Sequence, residues 1–315
     1  GFGYTITDTD GDTSDATLKL TITADQNIPE IVIPRPEVPD EGTNPGLTDD
    51  SRTVSESYLP GGSQNADGSN GAKTNGSFSV DTHNEGGTVV VTDGSGHDHG
   101  FTVDGAGNLI GELPGTISTK YGELTITNVS GGKVEYTYEL TKPADNTASD
   151  ASVEDPIHIL VTDATGDTDA ADLKITIVDD VPVAADDVAS LQEGATSEGS
   201  VLGNDTFGAD APEAGTVRWN VKEGDADVES VSRGEDGVLT VETTYGTATL
   251  NPDGSYSFTA KADAGLEGEA SAQLGFGYTI TDTDGDTSDA TLKLTITADQ
   301  NIPEIVIPRP EVPDE

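Results

Sequence analysis

The sequence predicts an all-β protein, a tandem of β-sandwich domains joined end to end by short linkers. Three observations predict it. Short runs alternate apolar and polar residues with period two, as in "ADLKITIVDD" and "ATLKLTITAD". Gly, Asp, Asn and Pro punctuate these runs at intervals of about eight to twelve residues, the spacing of sandwich strands. Residues 1–41 recur letter for letter as residues 275–315. No segment keeps a helical period, so no helix longer than about two turns is expected.

The repeat sets the order of the elements. Its offset is 274 residues (275 − 1), and a fixed period marks an array whose units touch mainly their neighbours. With no Met in it, the chain is expected to be a window on a longer array, one period plus an overlap. Residues 1–27 then supply the last two strands of one domain copy, called A. Alone they expose unpaired strand edges, and are expected to be disordered or ordered only by pairing elsewhere. Residues 28–180 form domain B. It carries a Gly/Ser/Asn-rich surface loop, "LPGGSQNADGSNGAKTNGS", and a hairpin from Tyr121 that turns at Ser130-Gly131-Gly132. Its last strand alternates Leu173, Ile175 and Ile177 against Lys174 and Thr176.

Residues 181–300 form domain A. Its hairpin runs to Leu250, turns at Asn251-Pro252-Asp253-Gly254 and returns through Tyr256 and Phe258. Its final two strands are placed at about 276–281 and 290–298, the latter alternating through Leu292, Leu294 and Ile296. Residues 301–315 begin another copy of B. The connections "IVDDVPVAADD" and "ADQNIPEIVIPRPEVP" are short; Pro29, Pro34, Pro36 and Pro39 stiffen the second.

Composition narrows the function. There are 59 acidic and 14 basic residues, a net charge of −45. Such a chain repels nucleic acid and anionic membranes, and it repels itself unless counter-ions bind. The acids are interleaved with strands, unlike a disordered acidic tail. There is no Cys, so disulfides cannot brace the domains. No apolar run approaches the ~18 residues of a membrane span.

The acids gather in turns. "DTDGDTSD" spaces Asp282, Asp284 and Asp286 on alternate residues with Asp289 beyond; "TDATGDTDAAD" offers Asp163, Asp167, Asp169 and Asp172. Clustered carboxylates on a glycine turn are what a hard cation such as Ca²⁺ selects. They are not EF-hands: Gly285 falls early for the invariant glycine and no Glu follows at the twelfth position. Acidic solvated hairpins are the competing reading, since Asp and Gly are ordinary turn residues. Topology favours the cation. In a seven-stranded sandwich, the start of the first strand and the turn between the last two lie at one pole. Asp282, Asp284 and Asp286 are therefore expected beside the linker acids Asp179, Asp180, Asp186 and Asp187. Likewise Asp163, Asp167 and Asp169 are expected to face Asp25 and Glu30.

"VPVAADDVASLQEGATSEGSVLGNDTFGADAP", "YGTATLNPDGSYSFT" and "YTITDTDGDTSDATLKLTIT" together resemble the repeat domains of large type I secreted RTX-type bacterial adhesins, VCBS-like and T1SS-143-like. The resemblance covers domain A closely, and domain B in its last third and in "VSESYLPGGS". It implies immunoglobulin-like, cadherin-like extender domains, stiffened by Ca²⁺ bound between neighbouring repeats, in the secreted stalk of a bacterial cell-surface protein. Cell adhesion or biofilm formation is the implied role, extracellular the implied location, and neighbouring repeats of the same chain the implied partners. The RTX nonapeptide G-G-x-G-x-D is absent from this stretch.

Other sites carry less. "GHDHG" places His97, Asp98 and His99 in a turn that, with His83, offers transition-metal ligands; a bare exposed turn is the competing reading. His158 falls in a strand and reads as structural, and Trp219 as core. Enzyme signatures are missing: no Cys nucleophile, G-x-S-x-G, H-E-x-x-H or P-loop occurs. The expectation is a non-enzymatic spacer that projects a distal adhesive domain. The alternative is a binding module in which domain B itself grips a glycan, a host surface or a partner.

Overall fold

The structure, a computed structural model, describes residues 1–21, 27–34, 52–64, 71–147, 151–212, 214–266 and 270–299. It is all-β, with 54% of the described residues in strands. Among the described residues the only helical turns are short 3₁₀ pieces, such as Glu56–Tyr58 and Val201–Gly203. The expectations for Asp25 and for residues 301–315 lie outside the described residues.

The chain opens with an isolated hairpin, β1 (Phe2–Thr7) and β2 (Thr13–Leu18). The first sandwich then takes β3 (Glu30–Val32), β4 (Thr53–Ser55), β5 (Lys73–Asp81), β6 (Gly87–Thr92), β7 (Asp98–Val103) and β8 (Leu109–Ile110). It continues with β9 (Ile117–Ser118), β10 (Gly122–Ser130), β11 (Lys133–Leu140), β12 (Ser152–Asp163) and β13 (Thr168–Val178). The second takes β14 (Asp187–Gln192), β15 (Thr196–Ser200), β16 (Val217–Trp219), β17 (Val228–Arg233) and β18 (Leu239–Thr243). Its last four are β19 (Gly246–Leu250), β20 (Ser255–Ala260), β21 (Ser271–Thr281) and β22 (Thr287–Thr297). Sheet order is β3-β5-β11-β10-β9 against β4-β13-β12-β6-β7-β8, then β14-β22-β21-β16 against β15-β20-β19-β18-β17.

Alternation explains the packing. Leu173, Ile175 and Ile177 of β13, and Leu292, Leu294 and Ile296 of β22, point into two separate apolar clusters. Each such side chain contributes about 1.5–3 kcal/mol on burial. Each sandwich has one parallel pairing, made with its last strand: β4 with β13 and β14 with β22. The second of these brings the linker before β14 to the pole that carries the last turn, whereas the first sandwich is entered by β3, which pairs antiparallel with β5.

Three details depart from the sequence expectation. The sandwiches hold eleven and nine strands among the described residues, where seven each were assumed; β7–β8–β9 and β17–β18 widen the sheets. β21 starts at Ser271, five residues earlier than expected, pairing Ser271 with Thr297 through to Thr281 with Thr287. Gly275 and Gly277 on its outward face hide an alternation that Ala272, Leu274 and Phe276 continue inward. β22 likewise starts at Thr287, because the ladder carries polar Thr287, Ser288 and Asp289 into the strand.

The turn at Gly131-Gly132 joins a two-residue hairpin in which both residues have positive φ (57° and 78°). Glycine adopts this without a Cβ clash. Trp219 is core, as expected: it is 5% exposed, its ring centroid lies 5.7 Å from that of Tyr278, and its indole N–H donates to the Asn251 carbonyl at 2.8 Å. Trp219→Phe loses that bond and some volume. The expected cost is about 1–2 kcal/mol, read as a lower urea midpoint at unchanged slope.

The opening hairpin gives a natural comparison. Phe2, Tyr4 and Ile6 are more than half exposed, whereas Phe276, Tyr278 and Ile280, in an identical stretch, are buried. The letters are the same, and the partner strands decide the burial.

Candidate metal centre

The turn between β21 and β22 is built by its own first carboxylate. Asp282 Oδ1 accepts the main-chain N–H of Gly285 at 3.0 Å and of Asp286 at 2.8 Å. Gly285 has φ 107°, a value open to glycine. The same capture recurs at Asp8, from Gly11 and Asp12, and at Asp163, from Gly166 and Asp167. Local sequence alone therefore shapes the turn; its surroundings differ.

In the second sandwich the turn meets the linker and the first sandwich. Thr283 donates twice to the Asp210 carbonyl, from N–H at 3.2 Å and from Oγ1 at 2.7 Å. One carboxylate oxygen from each of Asp179, Asp284 and Asp286 lies within 4.8 Å of the others. A second group of the same tightness joins Asp179 with Glu56 and Asp210. Asp179 is common to both. Glu56 sits just past β4 of the first sandwich, and the Ala144 N–H holds its Oε1 at 2.7 Å. Asp180 is tied up structurally: Ser63 N–H and Ala209 N–H reach its Oδ2 at 2.9 and 3.0 Å, and Ser63 Oγ–H reaches its Oδ1 at 2.5 Å. That carboxylate joins residues on both sides of the linker.

The oxygens left over are the telling feature. Glu56 Oε2, Asp210 Oδ2, Asp282 Oδ2 and both oxygens of Asp284 are shielded from solvent without a hydrogen-bond donor. No ion pair among the described residues reaches Glu56, Asp179, Asp180, Asp210, Asp282, Asp284 or Asp286. Buried unpaired carboxylates are costly, and the titration behaviour reflects it. Burial, followed by the charges of Asp210 and Asp179, raises the Glu56 carboxyl to about 8. Burial and Asp284 raise Asp282 to about 7, and burial with neighbouring acids raises Asp210 to about 6. Asp286 is also raised, through burial and Asp179. Asp8, the same residue as Asp282 in the free hairpin, is lowered by hydrogen bonding to Asp10 and the Asp12 amide. The junction, and not the motif, perturbs these acids.

An oxygen-only donor set with several orphaned carboxylate oxygens fits a hard divalent cation, which takes six to eight oxygens, better than a transition metal, which favours nitrogen or sulfur. Glu56, Asp179, Asp210, Asp282, Asp284 and Asp286 are the residues that would hold it.

The other sequence-derived acids lie elsewhere. Asp186 accepts the Thr291 N–H at 2.9 Å and pairs with Lys293. Asp187 takes the Tyr278 hydroxyl at 3.0 Å, in a pocket shared with Asp205. Asp289 takes the Thr279 hydroxyl at 2.5 Å. At the other pole of the first sandwich, Asp169 Oδ2 accepts the Ile31 N–H of the entering linker at 2.8 Å. Asp163 Oδ2 is buried without a donor there, as is Glu85 Oε2. Asp167 gives its N–H to Asp163, and Glu30 sits exposed on β3 opposite Asp81.

Sequence reading missed Glu56, Glu85 and Asp210. A signal for Glu56 existed. It follows β4 as Glu193 follows β14, at matching registers (Ser55 with Val178, Gln192 with Thr297). Glu193 accepts the Ala264 and Asp299 amides at 2.8 and 3.0 Å, so the same acid closes the far end of each sandwich. His83 lies in the turn before β6, whereas His97 lies in the turn after it and His99 on β7 opposite Val91, close to that far end. A six-residue strand of roughly 20 Å separates them, so His83 does not join "GHDHG". His158 is a half-exposed strand residue paired with Asp172 at 2.9 Å.

Residues 179–298 match the family model of the bacterial cadherin-like domain. Domains of this type are extracellular and generally bind Ca²⁺, and the match supports a cadherin-like repeat domain here. No curated protein matches the chain. Similar solved structures include protocadherin gamma B7 extracellular cadherin domains 1–4, at 14% identity over 79% of this chain and 49% of that one, TM-score 0.27. The protocadherin gamma B4 extracellular domain aligns at 15% identity over 98% of this chain and 41% of that one, TM-score 0.30. The N-terminal Ig1–2 module of the Drosophila receptor protein tyrosine phosphatase DLAR aligns at 13% identity over 86% and 99%, TM-score 0.24. The chain spans about half the length of the protocadherin structures it aligns with.

Proposed function

We propose that this chain is an extender segment of a large bacterial cell-surface adhesin, in which Ca²⁺ clamps one β-sandwich to the next and projects a distal adhesive region. The observation that carries this reading is the convergence of acids from both sandwiches on Asp179, with buried carboxylate oxygens that lack donors. Without a cation these groups repel and the joint is loose. With one, Glu56 on the first sandwich and Asp210, Asp282, Asp284 and Asp286 on the second share a charge partner, and bending at the linker is opposed. Extracellular modules of this kind bind at ~10⁻⁴–10⁻³ M, so such a joint would be empty in a cytosol and filled outside. Type I secretion and a place in biofilm formation belong to the same proposal, on the resemblance of the repeat motifs.

The alternative, a ligand-binding first sandwich, gains no support from its long loop. The described start of that loop is engaged at the joint, where Ser63 donates to Asp180. X-ray scattering of the whole chain tests the proposal. The radius of gyration and maximum dimension should be fixed in millimolar Ca²⁺ and the profile should become that of a bending chain in chelator. Superimposable profiles would reduce these loops to solvated turns.

A further inference from the structure

"GHDHG" is not absorbed by the joint, and the structure gives it a partner that the sequence did not suggest. The turn between β6 and β7 runs from Asp93 to His97. It is closed by Asp93 N–H to the His97 carbonyl at 2.8 Å and by Gly96 N–H to the Asp93 carbonyl at 3.0 Å. Asp93 Oδ1 accepts the Ser95 and His97 main-chain N–H groups, each at 2.8 Å. The Gly94 N–H anchors the turn to the Ser118 carbonyl at 2.9 Å. Asp93 is therefore fixed by its own turn, and its side chain is only 13% exposed. Its remaining oxygen, Oδ2, faces two imidazoles: His99 Nε2 at 3.2 Å and His97 Nδ1 at 3.5 Å. His99 is held on β7 opposite Val91, whereas the His97 side chain is 78% exposed and free to swing.

We infer that Asp93, His97 and His99 form a site for a borderline transition-metal ion of the Zn²⁺ class. The donor set is two imidazole nitrogens and one carboxylate oxygen, which suits Zn²⁺, Ni²⁺ or Cu²⁺ and not Ca²⁺. Ligands about 2.0–2.1 Å from a tetrahedral metal stand ~3.3–3.4 Å apart, and the two edges that meet at Asp93 are already 3.2 and 3.5 Å. The third edge, between the rings, is longer than 4.8 Å as the side chains stand, and rotation of the exposed His97 is what closes it. A two-His, one-carboxylate set leaves a tetrahedral position open for water or for a donor from outside. The competing account is a pair of ordinary His–Asp contacts that pin a hairpin.

Calorimetric titration of the whole chain with Zn²⁺ in excess Ca²⁺, which occupies the oxygen-only acids, separates the two. The expected result is uptake of one Zn²⁺ per chain. His97→Ala and His99→Gln should each weaken it at least tenfold, and the imidazole NMR signals of His97 and His99 should shift while those of His83 and His158 stay. Because His97 is exposed, His97→Ala leaves the core intact, which an unchanged melting curve checks. No saturable uptake, or unchanged uptake by His97→Ala, overturns the proposal. Its failure would leave the Ca²⁺ joint untouched, since the residue sets do not overlap.

Discussion

Chelation should lower the melting temperature of the joint between the sandwiches, and Asp179→Ala should abolish the difference. An ion that binds only the folded joint adds RT ln(1 + [L]/Kd), about 2.7 kcal/mol at a hundredfold excess. For a unit of 150–250 residues, each kcal/mol moves the transition by ~2–4 °C. One bound Ca²⁺ is thus worth roughly 5–11 °C, and Asp179 belongs to two carboxylate groups. The variant also predicts a change of sign. In chelator, Asp179→Ala removes one of several like charges, so it should melt at or above the wild type; in Ca²⁺ it should melt below. A plain structural role for Asp179 would lower both. Asp8→Ala, in the same motif but in the free hairpin, should change neither. Calorimetric melting of the three chains in Ca²⁺ and in chelator reads all of this.

The second large effect is an inverted pH dependence. Folded-state carboxyls usually titrate below their unfolded values, and acid then destabilises. Here Glu56, Asp210 and Asp282 titrate above the ordinary range, at about 8, 6 and 7. Between the ordinary carboxylate range and those values the folded chain holds more protons than the unfolded one, so stability falls as pH rises. In chelator, the joint should therefore be more stable at pH 5 than at pH 8. Protons and Ca²⁺ compete for the same oxygens, so Ca²⁺ affinity should weaken as pH drops through 8 to 6. The two curves, stability without Ca²⁺ and affinity for it, should slope in opposite directions. A Ca²⁺-free protein that loses stability steadily from pH 8 to pH 5 would contradict the assignment of these acids to a shared, buried centre.

Much of this was legible in the letters. Period-two alternation located the last strands of both sandwiches, and glycine-bearing turns located the hairpins at Gly131-Gly132 and after Leu250. Alternating strand direction placed the "DTDGD" turn beside the linker, and Asp179, Asp284 and Asp286 do meet there. What escaped was what depends on tertiary partners. Asp186 and Asp187 look like linker acids, but β14 pairs with β22 from Asp187 onward and turns them toward Lys293 and Tyr278. Glu56 has no acid within four residues and Asp210 has only Glu213; the one mark on Glu56 is its place after β4, which Glu193 shares after β14, and the fold adds both acids to the group. Outward glycines concealed the first half of β21. The identical hairpins show the limit most plainly: Asp8 and Asp282 share their local hydrogen bonds and titrate in opposite directions, because one has a second sandwich around it.

The central claim, that a cation held by acids of both sandwiches fixes their relative position, is most directly tested by a distance across the joint. The chain has no Cys, so two spin labels can be placed cleanly, at Glu123→Cys on β10 and Ser232→Cys on β17, both exposed. Double electron–electron resonance should give one narrow distance distribution in millimolar Ca²⁺ and a broad one in chelator. Adding Asp179→Ala should keep it broad under both conditions. A distribution equally narrow with and without Ca²⁺, or narrowed by Ca²⁺ in the Asp179→Ala chain, would contradict the account.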